Sequence, residues 1–355
     1  MKINIYTLVL AFVTAFMLTY SIIPVIIRVA KELRLFDHPN DRSSHVTPTP
    51  SLGGVAIFAG TVCGIVLWTP LPAFGPLQYI LAAFIIIFLL GVLDDLTPVS
   101  PVKKFLGQLL VAVILTYKAD VQITSFYGVL GVNELPMMVR FALSVTIIIG
   151  IINAFNLIDG INGLAGSIGL LACLSFGVWF FSVGMISLAV SAIALAGSII
   201  AFLKYNLAPC RIFMGDTGSL LIGTMCSILA IEFVEANYQT VLSNPFRLAS
   251  APSIALAVLI LPIFDTCSVF ARRMMQGNSP FTADKTHIHH QMLAITGSHA
   301  RATSVLLLFN MLFVAFAFSI RNLGTQQSMP ILIAVVSVCG FILYKMYSNK
   351  KATKG

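Results

Sequence analysis

The chain has 355 residues, 58% of them hydrophobic and only 10% charged. A soluble domain carries roughly 25% charged residues because water must wet its surface. A water-soluble globule is therefore excluded, and with it a disordered chain, a secreted protein and a nucleic-acid-binding one. The net charge of +8 then reads as anchoring beside a membrane and as attraction to an anionic partner.

A helix needs about 20 apolar residues to cross the hydrocarbon of a bilayer. In chain order, eleven segments answer to this: 5–29, 51–69, 78–93, 104–118, 136–153, 164–182, 185–203, 217–234, 250–270, 303–320 and 330–347. The expected fold is all-α, a polytopic membrane helical bundle of about 11 transmembrane helices, making one integral membrane domain over residues 1–355. The first apolar run, Tyr6 to Val29, is too long for a signal-peptide core and ends at Arg28 and Lys31 with no cleavage site after it, so it reads as a retained span.

With the N-terminus outside and the C-terminus cytoplasmic, sixteen of the 21 Lys and Arg residues fall on the cytoplasmic side and five outside, the bias that the positive-inside rule demands. All six histidines and nine of the thirteen acids fall on that same side. A transport pathway needs polar groups at the bilayer midplane; polarity at one face is the mark of a membrane-surface enzyme. Trp68 and Trp179 fall at outer ends of spans, as an aromatic belt requires. The outer loop 118–135 alternates β-branched and aromatic residues around Gly128 and Gly131, the pattern of a small hairpin. The six cysteines show no CxxC or Cys/His ligand spacing and read as small buried hydrophobes.

Four cytoplasmic segments carry chemistry. In GVLDDLTPVSPVKKFLGQ, Asp94 and Asp95 end the third span while Lys103 and Lys104 open the fourth. Adjacent carboxylates repel unless a cation sits between them. In NAFNLIDGINGLAG, Asn156, Asp159 and Asn162 recur every three residues and share a face if the segment is helical, while Gly166 reads as a packing glycine. In RIFMGDTGSLLIG, Asp216 stands where the eighth span begins, so free N–H groups and the hydroxyls of Thr217 and Ser219 offer a phosphate or metal–phosphate setting. The longest inner loop, 271–293, brings Arg272, Arg273, Asp284, Lys285, His287, His289 and His290. Its H-x-H-H cluster lacks cysteines or an i, i+4 pair for a zinc site, and a basic loop that binds phosphate suits these residues better. Asp265 is the one acid that falls more than two residues inside a span, near Pro262, with a salt bridge or helix contact with Arg272 as its ordinary structural use. Hard oxygen ligands and basic donors on one face point to Mg2+ and phosphoryl transfer.

These segments, in this order and spacing, resemble the polyprenyl-phosphate N-acetylhexosamine-1-phosphate transferase family (glycosyltransferase family 4) from about Asp37 to Met292, and HIHH at 287–290 resembles the branch that uses undecaprenyl phosphate and UDP-GlcNAc. The resemblance implies a catalytic set of Asp94, Asp95, Lys104 and Asp159. It implies Mg2+, with Mn2+ as the alternative ion, held by Asp216, Asp95 and Asp94. Phe213 would stack on uracil, Asn156 and Asp159 would line the nucleotide pocket, and Arg272, Arg273, His287, His289 and His290 would cover the sugar diphosphate. Two departures stand out. Asn162 replaces an acid that many relatives have, and the first loop keeps Arg42 and His45 but has Ser44 where lysine is usual.

The implied reaction moves N-acetylhexosamine 1-phosphate, GlcNAc foremost, from a UDP-sugar to undecaprenyl phosphate with release of UMP, opening the synthesis of a cell-envelope polysaccharide such as O-antigen or the teichoic acid linkage unit. The acceptor phosphate is already mostly a dianion near neutral pH, so the barrier is charge repulsion, and a strong base is unnecessary. The implied partners are the UDP-N-acetylhexosamine, undecaprenyl phosphate and the lipid bilayer, with no nucleic acid and with a homodimer as the oligomer to consider. The implied location is the bacterial inner membrane, with the active site on its cytoplasmic face. Within the family the alternative is the phospho-MurNAc-pentapeptide translocase of peptidoglycan synthesis, which HIHH disfavours; outside it, a membrane transporter.

Overall fold

The structure is a computed structural model describing residues 5–36, 49–241, 243–275, 277 and 287–352. Among these residues it contains thirteen α-helices: α1 (Ile5–Glu32), α2 (Gly53–Trp68), α3 (Leu77–Leu96), α4 (Pro101–Lys118), α5 (Met137–Ile158), α6 (Leu164–Val183), α7 (Ile186–Asn206), α8 (Gly215–Gln239), α9 (Ala251–Val258), α10 (Ile260–Met275), α11 (Ile288–Thr296), α12 (His299–Ser319) and α13 (Thr325–Ala352).

Eight of these helices (α1, α3, α5, α6, α7, α8, α12 and α13) are long and apolar enough to cross a membrane, and α9 with α10 makes a ninth that is bent by 79°. The protein is thus a polytopic membrane helical protein. The two remaining expected spans are helical but weaker: α2 has only 16 residues, and α4 carries Lys103, Lys104 and Lys118. One expectation is corrected outright. Residues 271–293 do not form a single loop, because α10 runs on to Met275 and α11 begins at Ile288.

Lipid tails are as apolar as leucine, so helices associate through close packing of small residues. Gly60 of α2 lies directly against the Ala15 carbonyl and Thr19 hydroxyl of α1 and against Ser198 of α7, while Thr19 donates to the Ala56 carbonyl at 3.1 Å. Gly166 packs on Leu203 of α7, in keeping with its sequence reading. The centre of the bundle is α8, buried along almost its whole length. The bend between α9 and α10 follows from Pro262, which has no N–H and crowds the carbonyl four residues earlier. Asn310 of α12 serves the groups this exposes: its Oδ1 accepts the Leu261 N–H at 3.3 Å, and its Nδ2 donates to the Val258 carbonyl at 3.0 Å.

The expected hairpin exists in minimal form. Ser125 and Glu134 make one antiparallel bridge, and Gly128 and Gly131 turn the chain with positive φ. Glu235 of α8 holds it by accepting the Thr124 N–H at 3.1 Å and the Thr124 hydroxyl at 2.8 Å. Of the two expected belt residues, Trp179 is buried and donates to the Phe246 carbonyl at 3.0 Å, while Trp68 donates to Thr14 at 2.8 Å.

Candidate active site

The amino end of α8 organises the site. Gly215 adopts a positive φ, and any side chain there would strike the Ser51 carbonyl and the Asp95 carboxylate. Asp95, at the last turn of α3, therefore reaches the helix terminus: its Oδ1 accepts the Asp216 N–H at 2.7 Å, and its Oδ2 accepts the Thr217 N–H at 3.0 Å and the Thr217 hydroxyl at 2.5 Å. A carboxylate in such a partly buried position stabilises a helix by up to about 2 kcal/mol. Asp95 thus takes the Asp216 and Thr217 N–H groups and the Thr217 hydroxyl that the sequence offered to a phosphate, while Asp216 itself lines the cavity. The same geometry gives Asp95 three donors, a different employment from the metal ligand the resemblance implied.

Two close approaches make this possible. Gly91 of α3 packs on the Thr217 backbone and Gly54 of α2 on the Gly218 backbone. The segment before α2 pairs with the strand-like stretch before α8, where Phe213 N–H donates to the Pro50 carbonyl at 2.7 Å and Gly54 N–H to the Met214 carbonyl at 2.9 Å. Sequence reasoning missed this 50–54 segment; its adjacent glycines, Gly53 and Gly54, were the available signal.

Lys104 of α4 sits between two acids. Its ammonium is 2.9 Å from Asp94 Oδ2, and it is paired with Asp216 as well. Asn156 of α5 fixes the other oxygen of Asp216 by donating at 2.7 Å, and also reaches Ser219 at 3.1 Å. Asp94 Oδ1 accepts the Val99 N–H at 2.7 Å, which holds the α3–α4 turn against the site.

The second motif is not one helical face. The helix α5 stops at Ile158, and Asp159 caps its end in a non-helical conformation, so Asn162 lies in the turn beyond. There its N–H meets His299 Nδ1 at 3.3 Å and its carbonyl accepts from Thr303 at 2.8 Å. The turn is tied down by Asn206, a residue sequence reasoning passed over, whose Oδ1 accepts the Gly163 N–H at 2.6 Å. Burial, together with the charges of Asp216 and Asp95, holds the Asp159 carboxyl well above the usual carboxylate range.

A cavity of about 720 Å3 opens over these groups, walled by Asp94, Asp95, Asn156, Asp159, Asn162, Phe213, Asp216 and His290. Its volume is that of a small-molecule site. Arg34, Ser51 and Asn206 also line it and were not foreseen. Lys104 stands behind the carboxylates, outside the lining residues. His287 and His289 are buried beside the cavity, against Asp265. Arg272 lies over the Tyr344 ring of α13 and Arg273 is buried in α10; neither lines the cavity. The salt bridge expected between Asp265 and Arg272 is absent among the described residues, Asp265 being paired with His287 and His289 instead. Arg42, His45, Asp284 and Lys285 lie outside the described residues.

A divalent cation fits the donor set. Four carboxylates line the cavity; Asp95 is taken up by the α8 terminus, which leaves Asp94, Asp159 and Asp216, and Lys104 pairs with only two of these. Asp159 has no Lys or Arg partner among the described residues, and burial with the nearby charges of Asp216 and Asp95 raises its pKa. These acids do not form a closed cage, and Mg2+ does not need one, since it is usually held by one or two carboxylates with substrate phosphates and water.

Residues 77–234, which hold Asp94, Asp95, Lys104, Asn156, Asp159, Phe213 and Asp216, match glycosyl transferase family 4. Over 354 residues, 94% of this chain and 87% of the relative, the chain is 30% identical to a Mycobacterium tuberculosis protein named decaprenyl-phosphate N-acetylglucosaminephosphotransferase. The chain belongs to glycosyl transferase family 4. Two further relatives of this family are named undecaprenyl-phosphate alpha-N-acetylglucosaminyl 1-phosphate transferase: one from Yersinia pestis, 31% identical over 82% of this chain and 78% of its own length, and one from Escherichia coli K12, 28% identical over 82% and 77%.

Proposed function

We propose that this family 4 member transfers N-acetylglucosamine 1-phosphate from UDP-GlcNAc to undecaprenyl phosphate, giving undecaprenyl-diphosphate GlcNAc and UMP, the step that opens a cell-envelope polysaccharide. The observation that carries the reading is the convergence of Asp94, Asp159 and Asp216, from α3, the α5–α6 turn and α8, on one cavity at one end of a membrane bundle, with Lys104 of α4 paired to two of them from behind. The names of the relatives support the choice of sugar and lipid.

The chemistry follows from charge. The acceptor phosphate is mostly a dianion at neutral pH, so a strong general base is not required of Asp94, whose oxygens serve Val99 and Lys104. The difficulty is bringing that dianion to an anionic diphosphate, and the remedy is positioning plus charge stabilisation. Asp94, Asp159 and Asp216 would hold Mg2+ or Mn2+, which when bound neutralises phosphate charge. Lys104 supplies a fixed positive charge and orients Asp94 and Asp216. Asn156 keeps the Asp216 carboxylate from turning. Phe213, half-exposed on the wall, offers a ring face to the uracil base. One phosphoanhydride replaces another, so no ATP is consumed.

The accompanying topology has eleven crossings, α2, α4 and the bent α9–α10 pair included, with the N-terminus outside and the cavity facing the cytoplasm of a bacterial inner membrane. The excess of Lys and Arg in the connections on the cavity side supports that orientation. The test is direct: purified protein in detergent, with undecaprenyl phosphate, Mg2+ and a panel of labelled UDP-sugars, is scored for UMP and lipid-linked product. Turnover with UDP-GlcNAc is expected, and absence of product from every UDP-HexNAc would overturn the reading.

A further inference from the structure

Asp265 lies on α10 shortly after the bend, only 1% exposed. An isolated buried carboxylate is costly, so its partners must be found. Its Oδ1 accepts the Ile288 N–H, at the start of α11, at 2.6 Å. Its Oδ2 is 2.8 Å from His289 Nδ1 and 3.3 Å from His287 Nδ1. A carboxylate only accepts, so the His289 ring proton on that side sits on Nδ1. The ring is thereby turned so that Nε2 abuts Gly160, where even a methyl group would collide with it. Gly160 follows Asp159 in the turn that walls the cavity, and His290, next to His289, lines the same cavity.

These contacts form a chain from α10 through α11 to the α5–α6 turn, across residues that no sequence motif joins. We infer that Asp265 is a positioning residue that acts through His289 to set the Asp159–Gly160 turn and His290 at the cavity wall. The inference rests on the proposed transferase reading and deepens it, because Asp265 is not among the residues that line the cavity. It also accounts for a glycine after Asp159: the imidazole occupies the space of a side chain. The same three donors, Asp265, His287 and His289, lie within 4.8 Å of one another, but the 2.8 Å His289–Asp265 separation is that of a hydrogen bond. Two ligands of one tetrahedral zinc, at 2.0–2.1 Å each, stand about 3.3 Å apart.

The test is a double-mutant cycle on the full chain in detergent. It compares Asp265→Asn, His289→Gln and the double variant by kcat/KM for UDP-GlcNAc with undecaprenyl phosphate. A displacement of about 1 Å in such a site costs on the order of 10²-fold. Each single variant is expected to lose about that much, with the double variant within a few-fold of the weaker single and all three eluting as folded protein. Independent losses, giving roughly 10⁴-fold in the double variant, would overturn the inference, as would near-normal activity of Asp265→Asn. A purely structural role would lower the unfolding temperature without this non-additivity. If Asp265→Asn does not fold, Asp265→Glu, which keeps the charge, takes its place in the cycle with the same outcomes. Stoichiometric zinc in the purified protein, lost in His289→Gln, would also overturn it. Active wild-type enzyme with additive losses sinks this inference alone, whereas a wild type inactive on every UDP-HexNAc sinks the transferase reading and this inference with it.

Discussion

The carboxylate of Asp95 caps the helix that carries Asp216, accepting the Asp216 N–H at 2.7 Å and the Thr217 N–H at 3.0 Å. The two acids of the DD pair therefore do different work. Asp94 faces Lys104 and the cavity, whereas Asp95 spends its acceptors on the helix that presents Asp216. Asp95→Ala should cost about 1–3 kcal/mol of stability, because buried N–H groups lose a charged acceptor. Asp216→Asn should abolish UMP release with little change in unfolding temperature. Paired thermal melts and activity assays distinguish them, and equal melting temperatures for the two variants would contradict the capping role.

Lys104 competes with any cation for Asp94 and Asp216. Lys104→Gln should therefore slow transfer while lowering the Mg2+ concentration at half-maximal rate, since two carboxylates are released from their ammonium partner. A Mg2+ titration of activity checks this, and a raised requirement would contradict it.

The Asp159 carboxyl is held well above its ordinary value by burial and by Asp216 and Asp95. A raised carboxyl favours the folded state while it is protonated, so stability should fall as pH rises from about 3.9, the unfolded value, through the folded one. Thermal melts in EDTA across that range should show this decline, and Asp159→Asn should flatten it. Added Mg2+ should stabilise the wild type most at the upper end.

Asn310 supplies both a donor and an acceptor to the bend that Pro262 creates. Asn310→Leu leaves the Leu261 N–H and the Val258 carbonyl without it in an apolar setting. The expected loss is about 2 kcal/mol, read as a lower unfolding temperature in detergent.

Gly91 lies against the backbone of Thr217, which cannot move aside as a flexible side chain would. Gly91→Ala should separate α3 from α8, cost about 1–3 kcal/mol and reduce activity with it, because the Asp95 cap depends on that contact. A variant with wild-type melting temperature and turnover would show that the helices can part without harm.

The helices were legible because each one satisfies its own backbone, and in a bilayer an apolar run of sufficient length has no other stable form. The same locality made Asp94, Lys104, Asn156, Asp159 and Asp216 recognisable, since each stands at a helix end beside glycine or a partner charge. The end of α5 at Ile158 was less legible, as a polar residue every third position suits a helix and a turn alike.

Sequence by itself determined a membrane bundle, its polar end and most of the acids at the cavity, because hydropathy and helix termini are set within a few residues of chain. Only the tertiary structure decided that Asp95 caps α8, that Asp265 pairs with His289 instead of Arg272, and that Arg272 and Arg273 stand away from the cavity. Those choices join residues as far as 122 positions apart, and they depend on how closely the chain approaches at Gly54, Gly91 and Gly160, a distance that packing alone sets.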